Sequence, residues 1–350
     1  MTIIAFIGML VMLILAHELG HFITAKASGV RVDEFGLGFP PRLLSIKRGE
    51  TRYSLNLIPI GGFVKMAGEE DPKVPRSLAS KSIGTRALVL SAGSIMNFLL
   101  PLILFSVALM VPHNQVTGRV IVAELAPDSP ALHAGIKVGD TLLSVNDKPV
   151  NNSGDLNRYI QLNLGRKITI LVRHDDSTLQ SLEVIPRWKP PQNQGAVGVV
   201  ISTSNQTITS QSYPFWQAIP RGVSASIETF VLFKNGIISM IIAADPVAMT
   251  GPVGIAQMTG EVARAGFSPL LEFAAFLSIN LALINIFPLP GLDGGRIAFV
   301  LLEWVRRGKR ISPRTEGRVH LIGLAMLMAF FVIITYQDII RIISGESLIP

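Results

Sequence analysis

Ile3-Ile4-Ala5-Phe6-Ile7-Gly8-Met9-Leu10-Val11-Met12-Leu13-Ile14-Leu15-Ala16-His17-Glu18-Leu19-Gly20-His21 decides how the rest of the chain is read. An uncharged apolar run passes without a break into two histidines and a glutamate. Ionisable side chains in such a run cost roughly 2.5–3.5 kcal/mol each on insertion scales unless they are paired or bound to a metal. On a helix His17 and His21, four apart, share one face and can chelate a single ion. Zinc accepts two such nitrogens and one oxygen ligand and leaves a position open for water. Glu18, beside the first histidine, is placed to take a proton from that water as general base. The rival reading, a polar helix patch that matches a short pattern by chance, is disfavoured by the cost of putting it there.

Composition agrees with a membrane setting. Of the 350 residues 49% are hydrophobic and 16% charged, against about 25% charged in ordinary soluble domains, and mean hydropathy is +0.47. The net charge of +7 sits beside apolar runs, which suits membrane topology rather than nucleic acid. Cysteine is absent, so disulfides and thiolate metal sites are excluded and a metal must be held by His, Asp or Glu.

Three further apolar runs follow. Ala87 to Val111 carries no charge and is long enough for about 30 Å of hydrocarbon. Phe273 to Leu292 is the next, and Leu321 to Tyr336 the last; the last is short and needs help from its flanks or a thin site to cross. Gly222 to Ala244 is also apolar, yet it carries Glu228 and Lys234 and ends at Asp245-Pro246. It reads as an interfacial or partly inserted helix rather than a fifth span. The first run is not expected to be a cleaved signal peptide, since no basic residue precedes it and no small-x-small site follows. Basic residues crowd between the first two runs, from Lys26 to Arg86, and between the last two, from Arg296 to Arg318. Four crossings put both clusters on one side, the cytoplasmic one, and both termini with the long segment 112–265 outside.

Between the first two runs, residues 31–65 alternate like two strands around Arg48-Gly49-Glu50, a β-hairpin next to the membrane. Strands are expected at Val120–Leu125, Leu142–Val145, Ile168–Arg173 and Leu182–Ile185, with short helices at Ser129–Ala134 and Ser153–Gln161. The expected division is therefore a first half of a membrane core at 1–112 and an external α+β module at 113–205. An interfacial helix and linker at 206–265 and a second half of the core at 266–350 complete it.

A metal site of this kind needs a third protein ligand, and no further His follows His21 at usable spacing. Asp293, in Asn285-Ile-Phe-Pro288-Leu-Pro290-Gly-Leu-Asp293-Gly294-Gly295-Arg296, is the best remaining candidate. An ordinary N-cap or turn aspartate fits the same position, Asp-Gly being a common turn pair. Pro288 and Pro290 unwind the helix before it, which membrane depth tolerates only beside a cavity or other protein. His113, His133, His174 and His320 lack a partner at ligand spacing and are expected at the surface or in interfaces.

His17-Glu18-Leu19-Gly20-His21 in the first run, with Asn-x-x-Pro-x-Pro-x-Leu-Asp-Gly in the third, resembles the site-2 protease family of intramembrane zinc metalloproteases. Ile58-Pro59-Ile60-Gly61-Gly62-Phe63-Val64-Lys65, Gly93-Ser-Ile-Met-Asn97 and Gly251-Pro252-Val253-Gly254-Ile255 are similar to its weaker elements. The resemblance implies Zn2+ on His17, His21 and Asp293, Glu18 as the base, and Asn280, Asn285, Pro288 and Pro290 holding an extended substrate strand. Helix–helix hydrogen bonding is the alternative for the two asparagines. Implied substrates are single-span membrane proteins, such as pre-cleaved anti-sigma-factor-like proteins or signal-peptide remnants, cut within the lipid bilayer of a bacterial inner membrane. Ala126-Pro-Asp-Ser-Pro130 to Asn146 resembles bacterial PDZ domains, whose groove takes an extended peptide as an added strand; Gly118-Arg119-Val120-Ile121 is a weak candidate for its carboxylate-binding turn. The fold expected is thus an α-helical polytopic membrane protein of about four spans with a membrane-associated β-hairpin and one inserted α+β PDZ domain. A membrane-tethered PDZ adaptor or a metal-binding protein without proteolytic activity is the alternative.

Overall fold

Apolar runs become single long helices, even where Pro101 or Pro220 falls inside one. The structure, a computed structural model, describes residues 2–69, 71–243 and 250–344. Its first elements are α1 (Thr2–Ala27), β1 (Val32–Arg48), β2 (Thr51–Met66) and α2 (Ile83–Met110). Then come β3 (His113–Leu125), α3 (Pro130–Ala134), β4 (Thr141–Val145), β5 (Lys148–Pro149), α4 (Ser153–Leu162), β6 (Ile168–Arg173), β7 (Leu179–Val184) and β8 (Val199–Gln211). The chain continues with α5 (Phe215–Ala243), α6 (Pro252–Ala265), α7 (Phe267–Ile286), α8 (Asp293–Val305) and α9 (Pro313–Ile343). Among the described residues five helices, α1, α2, α5, α7 and α9, are long and apolar enough to cross a membrane.

The chain forms two compact units. One holds residues up to 108, 218–223 and the chain from 250 on; the other holds 109–217 and the later part of α5. In the first unit α1 and α2 touch backbone to backbone, because a Cβ on Gly20 would strike the Ala92 carbonyl. Small residues of this kind let helices pack closely where lipid supplies no hydrophobic drive. A buried cluster of Ala25, Val30, Val32, Val64, Met66, Val89, Leu90 and Val300 joins the foot of α1, the base of the hairpin, α2 and α8. At the hairpin turn Glu50 accepts from Arg76 and Lys26, which pull its carboxyl down to about 2. Arg86 and Glu303, both buried, pair at 2.6 Å, and Arg310 donates to the same carboxylate at 3.0 Å. A buried charge needs partners of this kind.

The fourth apolar run, read from sequence as short, belongs to a helix of 31 residues. Asp338 marks where the hydropathy argument stops, yet it is only 1% exposed. Its carboxylate accepts from Gly251 N at 3.2 Å and Gly254 N at 2.8 Å, at the start of α6. Negative charge there is favoured by the free N–H groups and the dipole of a helix start. Glycine lets it approach, since a Cβ on Gly251 would lie 2.8 Å from Asp338 Oδ2.

In the second unit a six-stranded sheet runs β7-β6-β4-β3-β8, with β5 on β4. Its core is Val120, Val122, Ile136, Leu142, Leu156, Ile168, Ile170 and Val172 with their neighbours. Ser129 caps α3 through Leu132 N and Gly135, at φ 95, ends it, as a helix start and stop require. β8 was not foreseen: it pairs with β3 from His113↔Gln211 to Leu125↔Val199. That pairing corrects the reading of Gly118-Arg119-Val120-Ile121 as a carboxylate turn. These residues lie within β3, with Val120 and Ile121 paired to β4 as well as β8, and Gly118 N donates to Asn151 O. The Gly118 backbone donor is already used.

The stretch read as interfacial is part of α5, a continuous helix, while its Asp245-Pro246 end lies outside the described residues. Along α5, Glu228 pairs with Lys148 at 2.7 Å and with Arg158. Asn235 donates to the Gln161 carbonyl at 2.8 Å.

Candidate metal centre

His17 and His21 project from one face of α1, as their spacing dictates, and both are buried. Their Nε2 atoms are 3.2 Å apart, and each is 3.0 Å from Asp293 Oδ2. Asp293 is the first residue of α8 and follows an unwound segment after α7 ends at Ile286. Gly294 and Gly295 let α8 start there, because Cβ atoms on them would meet the carbonyls of Ile286 and Leu289 at 2.5 Å. The candidate from sequence is therefore in place with both histidines, and these three form a group able to hold a metal.

Hydrogen bonds around the rings fix which nitrogen faces the site. His21 Nδ1 lies 2.8 Å from the Val89 carbonyl, so Nδ1 carries the proton and Nε2 keeps its lone pair. His17 Nδ1 lies 3.4 Å from the side-chain amide of Asn97, which is fully buried. Asn97 Oδ1 has no other partner, and the two ends of an amide are isosteric, so the orientation with Oδ1 toward the ring satisfies Oδ1 and Nδ1–H together. Three electron-rich atoms then converge within hydrogen-bond distance and call for a shared cation. Two imidazoles and a carboxylate with outer hydrogen bonds are the donor set of a catalytic zinc site.

Gly93 supplies the room. A Cβ there would lie 2.6 Å from His17 Cε1 and 2.7 Å from His17 Nε2, and nearer still to His21 Nε2. The spacing Gly93-x-x-x-Asn97 thus does two jobs on one face of α2: glycine clears the ring edges and asparagine orients His17. Sequence reasoning noted this element but gave neither residue a role.

Glu18 lines a cavity of about 350 Å3 together with both histidines, Gly62 to Met66, Glu69, Gly291 to Asp293 and Arg296. Gly62 allows β2 to close on the face of α1 that carries Glu18, since its Cβ would lie 3.0 Å from Glu18 Cγ. Across the cavity Arg296 pairs with Glu69 at 2.6 Å, and Glu69 also accepts from Met66 N at 3.2 Å. This pair ties the end of the hairpin to α8 one turn beyond Asp293. Asn280, Asn285, Pro288 and Pro290 do not line this cavity. Asn280 has a buried Oδ1 without a partner, and Pro288 is exposed.

The sequence profile of peptidase family M50 matches residues 5–330. A candidate zinc metalloprotease of Clostridium perfringens is 36% identical over 335 residues, covering 94% of this chain and 95% of that one. RasP of Bacillus subtilis, a regulator of sigma-W protease, is 28% identical over 430 residues, covering 97% and 99%. A zinc metalloprotease RasP of Geobacillus kaustophilus is 28% identical over 424 residues, covering 97% of each chain.

Substitution Gly93→Ala should therefore abolish metal binding, because the methyl group takes the space between the imidazoles. Metal analysis of the purified protein checks this, and a stoichiometric divalent metal in the folded variant contradicts the geometry.

Proposed function

Because the chain belongs to peptidase family M50, a family of intramembrane metalloproteases, we propose that it hydrolyses peptide bonds inside membrane-spanning segments of other proteins. The observation that carries this reading is the convergence of His17, His21 and Asp293 beside Glu18 on a helix apolar enough to cross the bilayer. His17, His21 and Asp293 would hold the zinc, which would supply Lewis acidity toward the scissile carbonyl and the attacking water. Glu18 takes the proton of the attacking water on its carboxylate and passes it to the leaving amide nitrogen. The unwound segment before Asp293 offers unpaired backbone to an extended substrate, with Asn280, Asn285, Pro288 and Pro290 shaping its approach. Its Gly291 and Leu292 line the metal cavity, which supports that role.

The topology we infer has four spans, α1, α2, α7 and α9. Glu228 and Asn235 of α5 are engaged by charged side chains and carbonyls of the sheet unit, and a helix so docked does not present those positions to lipid. Phe215 and Trp216 at its start are exposed, as interfacial anchors are. Four crossings leave both basic clusters in the cytoplasm of a bacterial inner membrane and the termini and the sheet unit outside. The far half of the hairpin exposes Leu43, Leu44, Ile46 and Leu57 beside Arg42, Lys47 and Arg48, which fits insertion among headgroups. The second unit we read as a PDZ domain. β8 has β3 as its one strand neighbour among the described residues, so its outer edge can accept a peptide strand.

Glu18→Gln should keep zinc and lose cleavage by at least about 100-fold, the scale of a general base, whereas Asp293→Ala should lose zinc. A Glu18→Gln form that still cuts a single-span substrate at the wild-type rate removes Glu18 from the chemistry. For the topology, the natural absence of cysteine makes labelling clean: Ser177→Cys should react with an impermeant thiol reagent from outside, and Ser80→Cys and Ser312→Cys should not. External labelling of Ser312→Cys would mean that α5 crosses. We read the PDZ unit as a size filter rather than a dock, since the candidate docking turn lies within β3. Replacing residues 113–211 by a short flexible linker is feasible because His113 and Gln211 are paired neighbours. It should release cutting of substrates that retain their outer domains and leave trimmed substrates cut as before; loss of trimmed-substrate cutting in a zinc-loaded protein would favour docking.

A further inference from the structure

His320 lies on α9, in a helix that supplies no ligand to the metal cavity. Its Nδ1 accepts a hydrogen bond from Gly291 N at 3.1 Å, two residues before the ligand Asp293. An accepting Nδ1 leaves the ring proton on Nε2, which is buried without a hydrogen-bond partner. A buried donor left unpaired is unfavourable, so the ring is not placed there for the stability of α9 alone.

Two neighbouring features bring the same helix face against the same loop. At Gly323 a Cβ would lie 2.6 Å from the Pro290 carbonyl carbon, so the proline seats directly on the α9 backbone. Gly291, at φ 99, presses its own Cβ position within 3.2 Å of Leu324 Cα. The loop Phe287 to Leu292 is broken by two prolines and has few backbone bonds of its own, among them Leu289 N to Phe287 O at 2.7 Å and Leu292 N to Leu289 O at 3.2 Å. On its far side Gly294 packs on the carbonyls of Ile286 and Phe287, at the end of α7, and Gly295 packs on Leu289 within the loop. α9 supplies the near side.

We propose that His320, with Gly323 as its seat, is a positioning residue: it anchors the Pro288–Gly291 loop to α9 and so fixes where Asp293 delivers its carboxylate. The inference rests on the reading of Asp293 as a metal ligand. Outer-shell partners of ligands commonly change metal affinity or activity about 10- to 100-fold when removed, and a displaced ligand acts on the catalytic step rather than on substrate capture.

The test uses the full-length protein in detergent or vesicles with a single-span substrate. It reads kcat, KM and the rate at which zinc is lost to a chelator, a readout independent of turnover. His320→Ala should lower kcat about 10- to 100-fold with KM little changed, and should speed zinc loss by a similar factor. His320→Asn sets its Oδ1 where Nδ1 stood and should recover both toward wild type. Gly323→Ala, which pushes Pro290 away, should resemble His320→Ala. Wild-type kcat and zinc loss in His320→Ala would overturn the proposal, as would a folded His320→Asn as defective as His320→Ala, whether or not the alanine form folds. Asp293→Ala separates this from the underlying reading: if it keeps zinc, the assignment of the ligand fails, whereas if it loses zinc while His320→Ala behaves as wild type, only the positioning role fails.

Discussion

Three electron-rich atoms share one small space inside an otherwise apolar helix layer, and most of the first unit is arranged to permit this. Buried imidazoles and a carboxylate are costly in such surroundings unless a cation and outer hydrogen bonds satisfy them. Here His17 Nε2, His21 Nε2 and Asp293 Oδ2 lie 3.0 to 3.2 Å apart, and the other face of each ring is engaged by α2. The approach depends on glycine: Gly20 lets α1 meet α2, Gly93 clears the ring edges, and Gly62 lets β2 close over Glu18. Each removes a side chain at a point where backbone or imidazole must pass, so the chemistry of the site is written partly in residues that have none.

Much of the fold was legible because the membrane simplifies the problem. Uncharged runs predicted α1, α2, α7 and α9, and period-two alternation predicted the hairpin and most strands of the sheet. Boundaries failed where polarity is satisfied internally. The fourth apolar run ends at Tyr336, yet α9 continues through Asp338, whose carboxylate is held by the N–H groups of Gly251 and Gly254. β8 was missed for a different reason: Val199–Gln211 is polar on its outer half, and its strand character comes from β3, far away in sequence. No local pattern reports a partner at that distance.

At the site the same division holds. His17, Glu18 and His21 were legible from spacing, and the placement of Asp293 from spacing alone stayed balanced against an N-cap. In the structure Leu292, not Asp293, is the N-cap of α8, and Asp293, its first residue, points its carboxylate at the imidazoles. Asn97 and His320 carried no signal that ligand spacing could detect, because neither donates to the cavity; each acts on a group that does. Gly93 was visible as part of a short motif, but the reason for it exists only once α1 and α2 are side by side.

The walls of the metal cavity also restrict how a polypeptide reaches it. α2 closes one side through Gly93 and Asn97, which stand against the rings themselves. At another point the Glu69–Arg296 pair joins the hairpin to α8. Besides these helix residues the cavity is lined by Gly62 to Met66 of β2 and by Gly291 and Leu292, which are not helical. A helical segment presents no free N–H or C=O groups to such walls, since its own turns use them. An extended segment does, and backbone polar groups removed from water and lipid must find partners. On the function proposed here, a strand and a non-helical loop at the cavity offer backbone partners to an extended substrate that a helical one, whose own turns use its polar groups, could not take up.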